Sequence, residues 1–278
     1  MEDTDRRIMA IVLTHNAPDS LARCLGAIVS QTLPPDTVLV VDNASRPPVS
    51  FEGPTGTSVP TRVVRSGMNT GPAGGYAQAL AEFLASDFRH AWVLDDDMVP
   101  DVHCLERLWT VAQRDPNSAF VFPISRQRDG VCGLWPSWCG FIVARQIIEA
   151  VGLPMAELFW WAEDTEYLQW RIPEAGYNWQ VVNEALVDHD PIRHGDGVPL
   201  WKYYYESRNM LYVHLRVKHR IGRYPRNMSK LLARAIFREK DGRFRRLAVM
   251  ARGLSDGARG KLGVRFPVEP MRERTPPL

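Results

Sequence analysis

Three consecutive carboxylates follow an apolar run in the first half of the chain. Residues 91–94 have the composition of a short buried strand, and Asp95, Asp96 and Asp97 come directly after it. Adjacent carboxylates repel one another, so this crowding favours a bound cation. Mg²⁺ and Mn²⁺ prefer oxygen ligands and leave positions open for substrate phosphates. In an extended chain Asp95 and Asp97 would face one side, which predicts a metal–diphosphate site; a solvated acidic turn is the alternative.

The elements that must position these side chains alternate between two patterns. Apolar runs predict strands over residues 8–13, 37–41, 62–64 and 91–94, and helical spacing predicts helices over 18–31, 71–85 and 102–114. Such alternation indicates an α/β protein with a doubly wound, mostly parallel sheet. Ligands of these sheets bind beyond the carboxyl ends of the strands. Thr14-His15, Asp42-Asn43 and the acidic triplet are therefore expected on one rim.

The second half of the chain is less regular. Strands are predicted over 118–123 and 140–144, helices over 163–175 and 200–218, and short extended pieces over 178–182 and 185–187. A Pro- and Gly-rich loop is expected over 47–60, and the Pro- and charge-rich residues 269–278 are expected to fray. The loop 67–75 contains glycines but lacks both the P-loop pattern and the dinucleotide fingerprint.

Charge is distributed unevenly along the chain. The formal net charge is +2, yet residues 226–278 carry 14 Lys and Arg against 5 Asp and Glu, so the rest of the chain is acidic. Basic and apolar residues interleave at roughly helical spacing there: Arg234, Arg238, Arg245, Arg246 and Arg252 with Leu231, Leu232, Ile236, Phe237, Phe244, Leu247 and Val249. This pattern predicts a helical extension lying flat on an anionic membrane. Packing on the catalytic domain or on a second subunit is the alternative.

Composition and cysteine usage narrow the class of protein. The chain is 45% apolar, which is typical of a globular protein. Its four cysteines form no C-x-x-C pair, which favours reduced thiols in a cytosolic protein. The acidic first five residues do not indicate a signal peptide, and no apolar run approaches the roughly 20 residues needed to span a bilayer. We expect a cytoplasmic protein, at most peripheral at the inner face of the membrane.

Taken in order, several motifs resemble those of the family 2 glycosyltransferases, which have the GT-A fold. The resemblance is greatest to the galactofuranosyl- and rhamnosyltransferase branch and covers roughly residues 6–220. The segments that carry it are Leu13–Asn16, Val41–Ser45, Asn69–Tyr76, Asp95–Asp97, Trp160–Tyr167, His189 and Tyr203–Asn209. It implies a GT-A domain over 1–225, with a nucleotide-binding N-terminal half and an acceptor-binding C-terminal half, followed by a basic helical extension over 226–278. His15 stands where the family usually has Tyr.

The resemblance also implies roles for individual residues. The chain would be an inverting enzyme that uses Mn²⁺ or Mg²⁺ to move a galactofuranose- or rhamnose-type sugar from a UDP- or dTDP-sugar to a glycan, lipid-linked or natural-product hydroxyl in cell-wall or other polysaccharide synthesis. Asp164 would be the general base. The cation would be held by Asp95, Asp97 and His189, with His194 as the competing candidate. The donor would be bound by Thr14, His15, Asp42, Asn43, Asn69, Gly74 and Asp96. The acceptor would be bound by Trp160, Trp161, Glu163, Tyr204 and Arg208.

Each of these assignments has a structural alternative. Asn43-Ala44-Ser45 fits an Asx turn, and the glycines near 74 fit close helix packing. Glu163 is favoured in a first helical turn by the helix dipole alone. Tyr204 and Arg208 fit a core aromatic cluster with a snorkelling Arg.

Two other functions compete with a glycosyltransferase. A nucleotidyltransferase would carry a Gly-rich basic loop after the first strand, and residues 14–19 lack it. A non-catalytic nucleotide-sugar-binding scaffold would have no need of Asp95, Asp97, Asp164 and His189 together. A nucleic-acid partner would leave the donor site unexplained.

Overall fold

The computed structural model describes residues 6–50, 59–127, 132–133, 136–189, 198–220, 222, 224–238 and 242–266. His194, the acidic first five residues, most of the 47–60 loop and the 269–278 segment lie outside them. The chain divides into two compact units, residues 1–156 with 163–191 and residues 157–162 with 192–278. The functional division into a catalytic domain over 1–225 and an extension over 226–278 stays a prediction.

The first unit is built on one sheet. Its described strands are β1 (Ile8–Thr14), β2 (Thr37–Asp42), β3 (Thr61–Arg65), β4 (His90–Asp95), β5 (Met98–Pro100), β6 (Phe120–Gln127), β7 (Cys132–Gly133), β8 (Cys139–Ala144) and β9 (Gln180–His189). They lie in the order β3-β2-β1-β4-β8-β6-β9-β5, with β7 paired to β6. The first four strands are mutually parallel. The β4–β8, β8–β6 and β9–β5 pairs are antiparallel, whereas β6 and β9 are parallel.

Apolar side chains on both faces hold this sheet between helices. Every residue of β1 is buried, as its continuous apolar run predicts. The helices of this unit are α1 (Pro18–Val29), α2 (Gly71–Leu84), α3 (Cys104–Ala112), α4 (Arg145–Val151) and the single turn α5 (Ile172–Glu174). The prediction of an α/β fold with a doubly wound sheet is confirmed, and α4 is an element that the sequence patterns did not indicate.

Two predicted elements differ from the structure for local reasons. The extended pieces 178–182 and 185–187 are one strand, β9, interrupted by a register shift opposite Pro123 and Ile124. The predicted helix over 163–175 is a π-helical segment, Thr165–Arg171, followed by α5. Its buried Glu166 carboxylate accepts a 3.0 Å hydrogen bond from Arg171 Nε, five residues later, which is also the spacing between residues joined by a π-helical backbone hydrogen bond.

The short strand β5 was not predicted. The sequence indicated only that the chain turns toward a helix near Pro100, whereas residues 98–100 pair with β9 in antiparallel register. Met98 lies opposite His189 in that register and is fully buried. The pairing fixes the end of β9 next to the acidic turn.

The second unit is helical. It contains α6 (Leu200–Tyr212) with a π-helical continuation over Val213–Val217, α7 (Tyr224–Ala233) with one over Arg234–Arg238, and α8 (Arg243–Ala258). The prediction of helices in the basic C-terminal region is confirmed. α8 packs against α6 through two glycines. A Cβ atom on Gly257 would lie 2.4 Å from the Arg208 carbonyl oxygen, and one on Gly253 would lie 2.5 Å from that of Tyr204.

Substituting Gly257 tests this close approach. Gly257→Ala would force α8 away from α6, and we expect overpacking to cost about 1–3 kcal/mol, which lowers the melting temperature by about 2–4 °C per kcal/mol. Gly26→Ala is the matched control, because Gly26 is exposed on helix α1 and a Cβ there has no neighbour within 4 Å. Thermal unfolding should show the control unchanged or more stable. Equal melting temperatures for the two variants would contradict the packing argument.

Candidate active site

The acidic triplet forms a turn rather than an extended segment. β4 ends at Asp95, residues 96 and 97 form the turn, and β5 begins at Met98. Strand alternation therefore does not set the directions of the three side chains. Asp95 accepts a hydrogen bond from the Tyr76 hydroxyl, and Asp96 accepts one of 2.6 Å from the Thr14 hydroxyl. Asp97 faces His189.

Asp97 and His189 form the part of this site that best fits a cation. His189 Nε2 lies 3.3 Å from Asp97 Oδ2, and the other carboxylate oxygen, Oδ1, is buried and has no hydrogen-bond partner among the described residues. A buried, unpaired carboxylate oxygen is costly unless it coordinates or hydrogen-bonds something. Among the described residues no group of three or more His, Cys, Asp or Glu side chains is arranged to hold a metal ion. Mg²⁺-type cations need only one or two protein ligands when substrate phosphates and water supply the rest.

Burial and the charges of neighbouring carboxylates raise the pKa values of Asp95 and Asp96. Burial raises the pKa of Asp95 well above its ordinary value, and the charges of Asp97, Asp96 and Glu163 raise it further, against the Tyr76 hydrogen bond. Burial and the charge of Asp97 raise the pKa of Asp96 to about 7, against the hydrogen bond from Thr14. A divalent cation is the species that lets such a cluster keep its negative charge.

Two side chains that the structure places beside Asp95 were missed by sequence reasoning. Tyr76 is fully buried, and its ring stacks on that of Trp138 with centroids 3.9 Å apart and planes inclined by 13°. The Trp138 carbonyl accepts a 3.1 Å hydrogen bond from the Asp95 amide, and the Trp138 indole nitrogen is buried with no hydrogen-bond partner in the part of the chain that the structure describes. Tyr76 lies in the glycine-rich segment 67–76 and could have been noticed there. Nothing in the sequence around Trp138 indicates that it lies beside Tyr76 and Asp95.

The loops after β1 and β2 are tied together by side-chain hydrogen bonds. His15 Nδ1 lies 2.8 Å from the Asn43 carbonyl oxygen, and the Asn16 amide donates to Ser45 Oγ at 2.9 Å. In return Asn16 Oδ1 accepts from the Arg46 amide at 2.7 Å. The rim formed by Thr14, His15 and Asn43 is therefore built before any ligand arrives.

Asn43 and Asp42 have structural partners of their own. Asn43 Oδ1 accepts from the Thr70 amide at 2.9 Å, and its Nδ2 donates to the Gly71 carbonyl at 3.1 Å. Asp42 is fully buried and accepts from the Ser45 and Val49 amides and from Arg65. Burial acts to raise the pKa of Asp42, but these hydrogen bonds and the Arg65 charge outweigh it and lower the pKa.

The glycines at the start of α2 allow close packing. Asn69 Oδ1 accepts a 2.8 Å hydrogen bond from the Gly71 amide, which closes the turn before the helix. A Cβ atom on Gly74 would lie 2.4 Å from Thr70 Cβ, and one on Gly75 would lie 2.4 Å from Leu13 Cδ1. Both glycines are required by close packing, and the donor contact of Gly74 stays a prediction.

The predicted base follows a strained stretch of backbone. Phe159, Trp161 and Ala162 have φ angles of 65°, 74° and 71°, a region that non-glycine residues rarely adopt. Strain of this kind persists where neighbouring structure enforces it, and it is common at active sites. Asp164 then starts the π-helical segment and accepts a 2.6 Å hydrogen bond from the Thr165 amide. Burial raises the pKa of Asp164 despite this hydrogen bond.

Within the second unit, α6 holds the strained stretch in place. Asn209 is fully buried, and its side-chain nitrogen lies 2.7–2.8 Å from the carbonyl oxygens of Leu158, Trp160 and Trp161. Arg208, also fully buried, donates to the carbonyls of Leu158 and Gly263. Asn209 is included in the segment Tyr203–Asn209 of the sequence analysis, but no role was predicted for it.

The remaining acceptor candidates of this unit have the contacts of an aromatic cluster. The Tyr204 hydroxyl donates to Asp256 at 2.7 Å, and its ring stacks on Phe266. The Trp160 ring lies 4.3 Å from that of Trp201, and Lys202 Nζ lies 5.1 Å above it. Trp160 and Trp161 are half-buried. Acceptor binding by these residues stays a prediction.

Comparison with solved structures identifies the fold. The mannosyltransferase PcManGT of Pyrobaculum calidifontis, solved with GDP-mannose and Mn²⁺, superimposes with a TM-score of 0.56 at 16% identity, over 91% of this chain and 75% of that one. The fold is the GT-A fold of glycosyltransferases, as the sequence resemblance implied.

Comparison of sequences identifies the family. The profile described as Glycosyl transferase family 2 matches residues 9–147, half of the chain. The chain is 29% identical over 191 residues to galactofuranosyltransferase GlfT1 of Mycolicibacterium smegmatis, covering 57% of this chain and 63% of that protein. It is 36% identical over 110 residues to GlfT1 of Mycobacterium tuberculosis, covering 38% and 36%. This chain belongs to glycosyl transferase family 2, near the galactofuranosyltransferase branch.

Removing the Asn209 side chain tests its hold on the strained stretch. We expect Asn209→Ala to cost about 1–3 kcal/mol, because buried carbonyls lose their donors, and Asn209→Asp to cost more, because a carboxylate would face those carbonyls. Chymotrypsin should cleave more quickly after Phe159 to Trp161 in both variants. Asn117→Ala, at an exposed position, is the control. Wild-type stability and wild-type cleavage in Asn209→Ala would show that other contacts hold the stretch.

Proposed function

We propose that this chain is an inverting, divalent-metal-dependent glycosyltransferase that moves a sugar from a nucleoside-diphosphate donor to an acceptor hydroxyl. The observation that carries the proposal is Asp97 Oδ1 beside His189 at the rim of the sheet, an oxygen that is buried and to which no residue in the described part of the chain donates a hydrogen bond. The GlfT1 relatives support a galactofuranose-type donor, and the mannosyltransferase solved with GDP-mannose and Mn²⁺ supports a nucleotide sugar and a cation. UDP- and dTDP-sugars remain the predicted donors.

In this proposal the acidic turn holds Mn²⁺ or Mg²⁺. Asp97 and His189 would be the first ligands. Asp95, which accepts a hydrogen bond from the Tyr76 hydroxyl, would be the third only after its side chain moves toward them, because the described residues hold no preformed group of three such ligands. The cation would offset the negative charge that grows on the departing nucleoside diphosphate. Asp96 keeps its hydrogen bond to Thr14 and so shapes the donor side of the turn.

The donor lies along the rim in this proposal. The half-buried ring of His15 offers a stacking surface for the base, and Thr14, Asp42 and Asn43 bracket the base and ribose. Asn69 and Gly74 belong to the segment that would run beside the diphosphate. Because hydrogen bonds already fix these loops, the protein loses little conformational entropy when the donor binds.

Asp164 acts as the general base in this proposal. It takes the proton of the acceptor hydroxyl as that oxygen attacks the anomeric carbon opposite the leaving diphosphate, which inverts the configuration. A base with a raised pKa accepts this proton more readily near neutral pH than an ordinary Asp does. Acceptor binding by Trp160, Trp161, Glu163, Tyr204 and Arg208 remains part of the proposal, as does a glycan or lipid-linked acceptor used in cell-wall synthesis.

The site should require its cation. We expect EDTA to abolish transfer and Mn²⁺ or Mg²⁺ to restore it, and Asp97→Ala to lose turnover and weaken binding of nucleoside diphosphate. Binding is measured by calorimetry with UDP, dTDP and GDP, each with and without Mn²⁺. Asp188→Ala is the control, because Asp188 precedes His189 but pairs with Arg126. Full activity of Asp97→Ala in the presence of chelator would exclude the metal assignment, and donor binding without any turnover would favour a scaffold.

Asp164→Asn should separate binding from chemistry. The variant keeps the shape of the side chain and removes the base, so we expect donor affinity within a few-fold of wild type and a rate lower by about 10²–10⁴. In the wild type the rate should rise with pH as Asp164 loses its proton, at a pH above the ordinary range for Asp because its pKa is raised. The Asn variant should lack that rise. If Glu163→Gln shows this loss and Asp164→Asn does not, the base is Glu163.

A further inference from the structure

The helical unit exposes two large aromatic side chains. Phe237 and Phe244 are each 81% exposed, more than the other large apolar residues described. Exposure of a Phe to this extent costs free energy in water, and a pair of them on one surface is typical of a contact site.

Both aromatics belong to the same end of a helix pair. Phe237 is the last residue but one of the π-helical continuation of α7, and Phe244 is the second residue of α8. Arg246 Nε donates a 2.7 Å hydrogen bond to the Ala235 carbonyl, so residues 235 and 246 lie side by side. Each Phe is two residues further toward the connection between the helices. We call this end, residues 235–238 and 242–246, the helical tip.

Some side chains of the predicted amphipathic face pack inside the helical unit. Leu231 and Met250 are buried with Tyr203 and Ala235 inside the unit, and Arg246 is buried as well. Arg234 forms an ion pair with Glu206. Leu231, Leu247 and Val249, which the sequence assigned to a helix lying flat on a membrane, pack inside the unit. The most exposed apolar side chains of that pattern are Phe237 and Phe244, both at the tip.

Charge at the tip selects the kind of partner. Arg243 and Arg245 flank Phe244 and are exposed, and Arg226 and Lys230 are exposed on α7. Residues 226–278 carry a net charge of +9. An exposed aromatic side chain flanked by cations, such as Phe244, suits an anionic lipid surface, where the ring enters the headgroup layer and the cations meet lipid phosphates. A second copy of this chain would bring the same positive charge to the contact and be repelled.

We propose that the helical tip anchors the protein to anionic membranes through Phe237 and Phe244, with Arg243 and Arg245 drawing it to the surface. The proposal extends the proposed function, since it would hold the enzyme near a lipid-linked acceptor, but it does not depend on turnover. It differs from a flat amphipathic helix because only the tip enters the lipid. No described helix is long and apolar enough to cross a membrane.

Co-sedimentation of the full-length protein with vesicles tests the anchor. The vesicles are phosphatidylcholine alone, or phosphatidylcholine with phosphatidylglycerol at roughly three to one, and the buffers contain chelator and no donor. We expect binding to the anionic vesicles at low salt and weaker binding as salt screens the charges. Phe237→Ser/Phe244→Ser should lower the partition coefficient at least about tenfold, because two aromatic side chains no longer enter the lipid.

Matched variants make the result specific. Met68→Ser/Val264→Ser removes two other exposed apolar side chains and should bind like the wild type. Arg243→Gln/Arg245→Gln should lose much of the salt-sensitive part of binding. Asp97→Ala should bind vesicles normally, which separates failure of the anchor from failure of the catalytic proposal. The proposal is overturned if the wild type ignores anionic vesicles, if the Phe variant binds them unchanged, or if the Phe residues instead support a salt-stable dimer in solution.

Discussion

The site depends on keeping several carboxyl groups close together at one edge of the sheet. Asp95, Asp96 and Asp97 share one turn, and the charge of Glu163 reaches Asp95. Burial and the neighbouring charges raise the pKa values of Asp95 and Asp96. Each carboxylate of the triplet has a different side chain beside it. Tyr76 supports Asp95, Thr14 supports Asp96, and His189 faces Asp97. His189 is placed there by the pairing of β9 with β6 on one side and with the three-residue strand β5 on the other.

The surrounding structure holds this arrangement in advance. Hydrogen bonds tie together the loops after β1 and β2 and the start of α2, and close-packed glycines bring α2 against β1. In the second unit, Asn209 holds the backbone stretch that precedes Glu163 and Asp164 in the chain. Preorganisation of this kind fixes the positions of the dipoles and charges that stabilise a transition state before the substrate binds. Such electrostatic preorganisation accounts for much of the rate enhancement of many enzymes.

Sequence patterns predicted well what depends on local periodicity. The buried strands β1, β2 and β4 and the helix α2 lie within one or two residues of their predicted bounds, because continuous apolar runs and a Gly-Pro start define them. What the patterns missed depends on pairing between distant residues. β5 has only three residues and no period, and the partners Tyr76 and Trp138 of Asp95 meet through tertiary packing. The basic extension was predicted to be helical, but which of its apolar residues are buried against Tyr203 could not be read from spacing.

The proposed function depends on a divalent cation held by Asp97 and His189, with the nucleotide sugar supplying the remaining ligands. Anomalous diffraction from crystals grown with Mn²⁺ and a nucleoside diphosphate tests it most directly. We expect one strong anomalous peak from Mn²⁺, within about 2.0–2.6 Å of Asp97 Oδ1 and of His189 Nε2, with diphosphate oxygens among the other ligands of the cation. A peak bound elsewhere, or diphosphate bound at the rim with no peak beside Asp97, would contradict it.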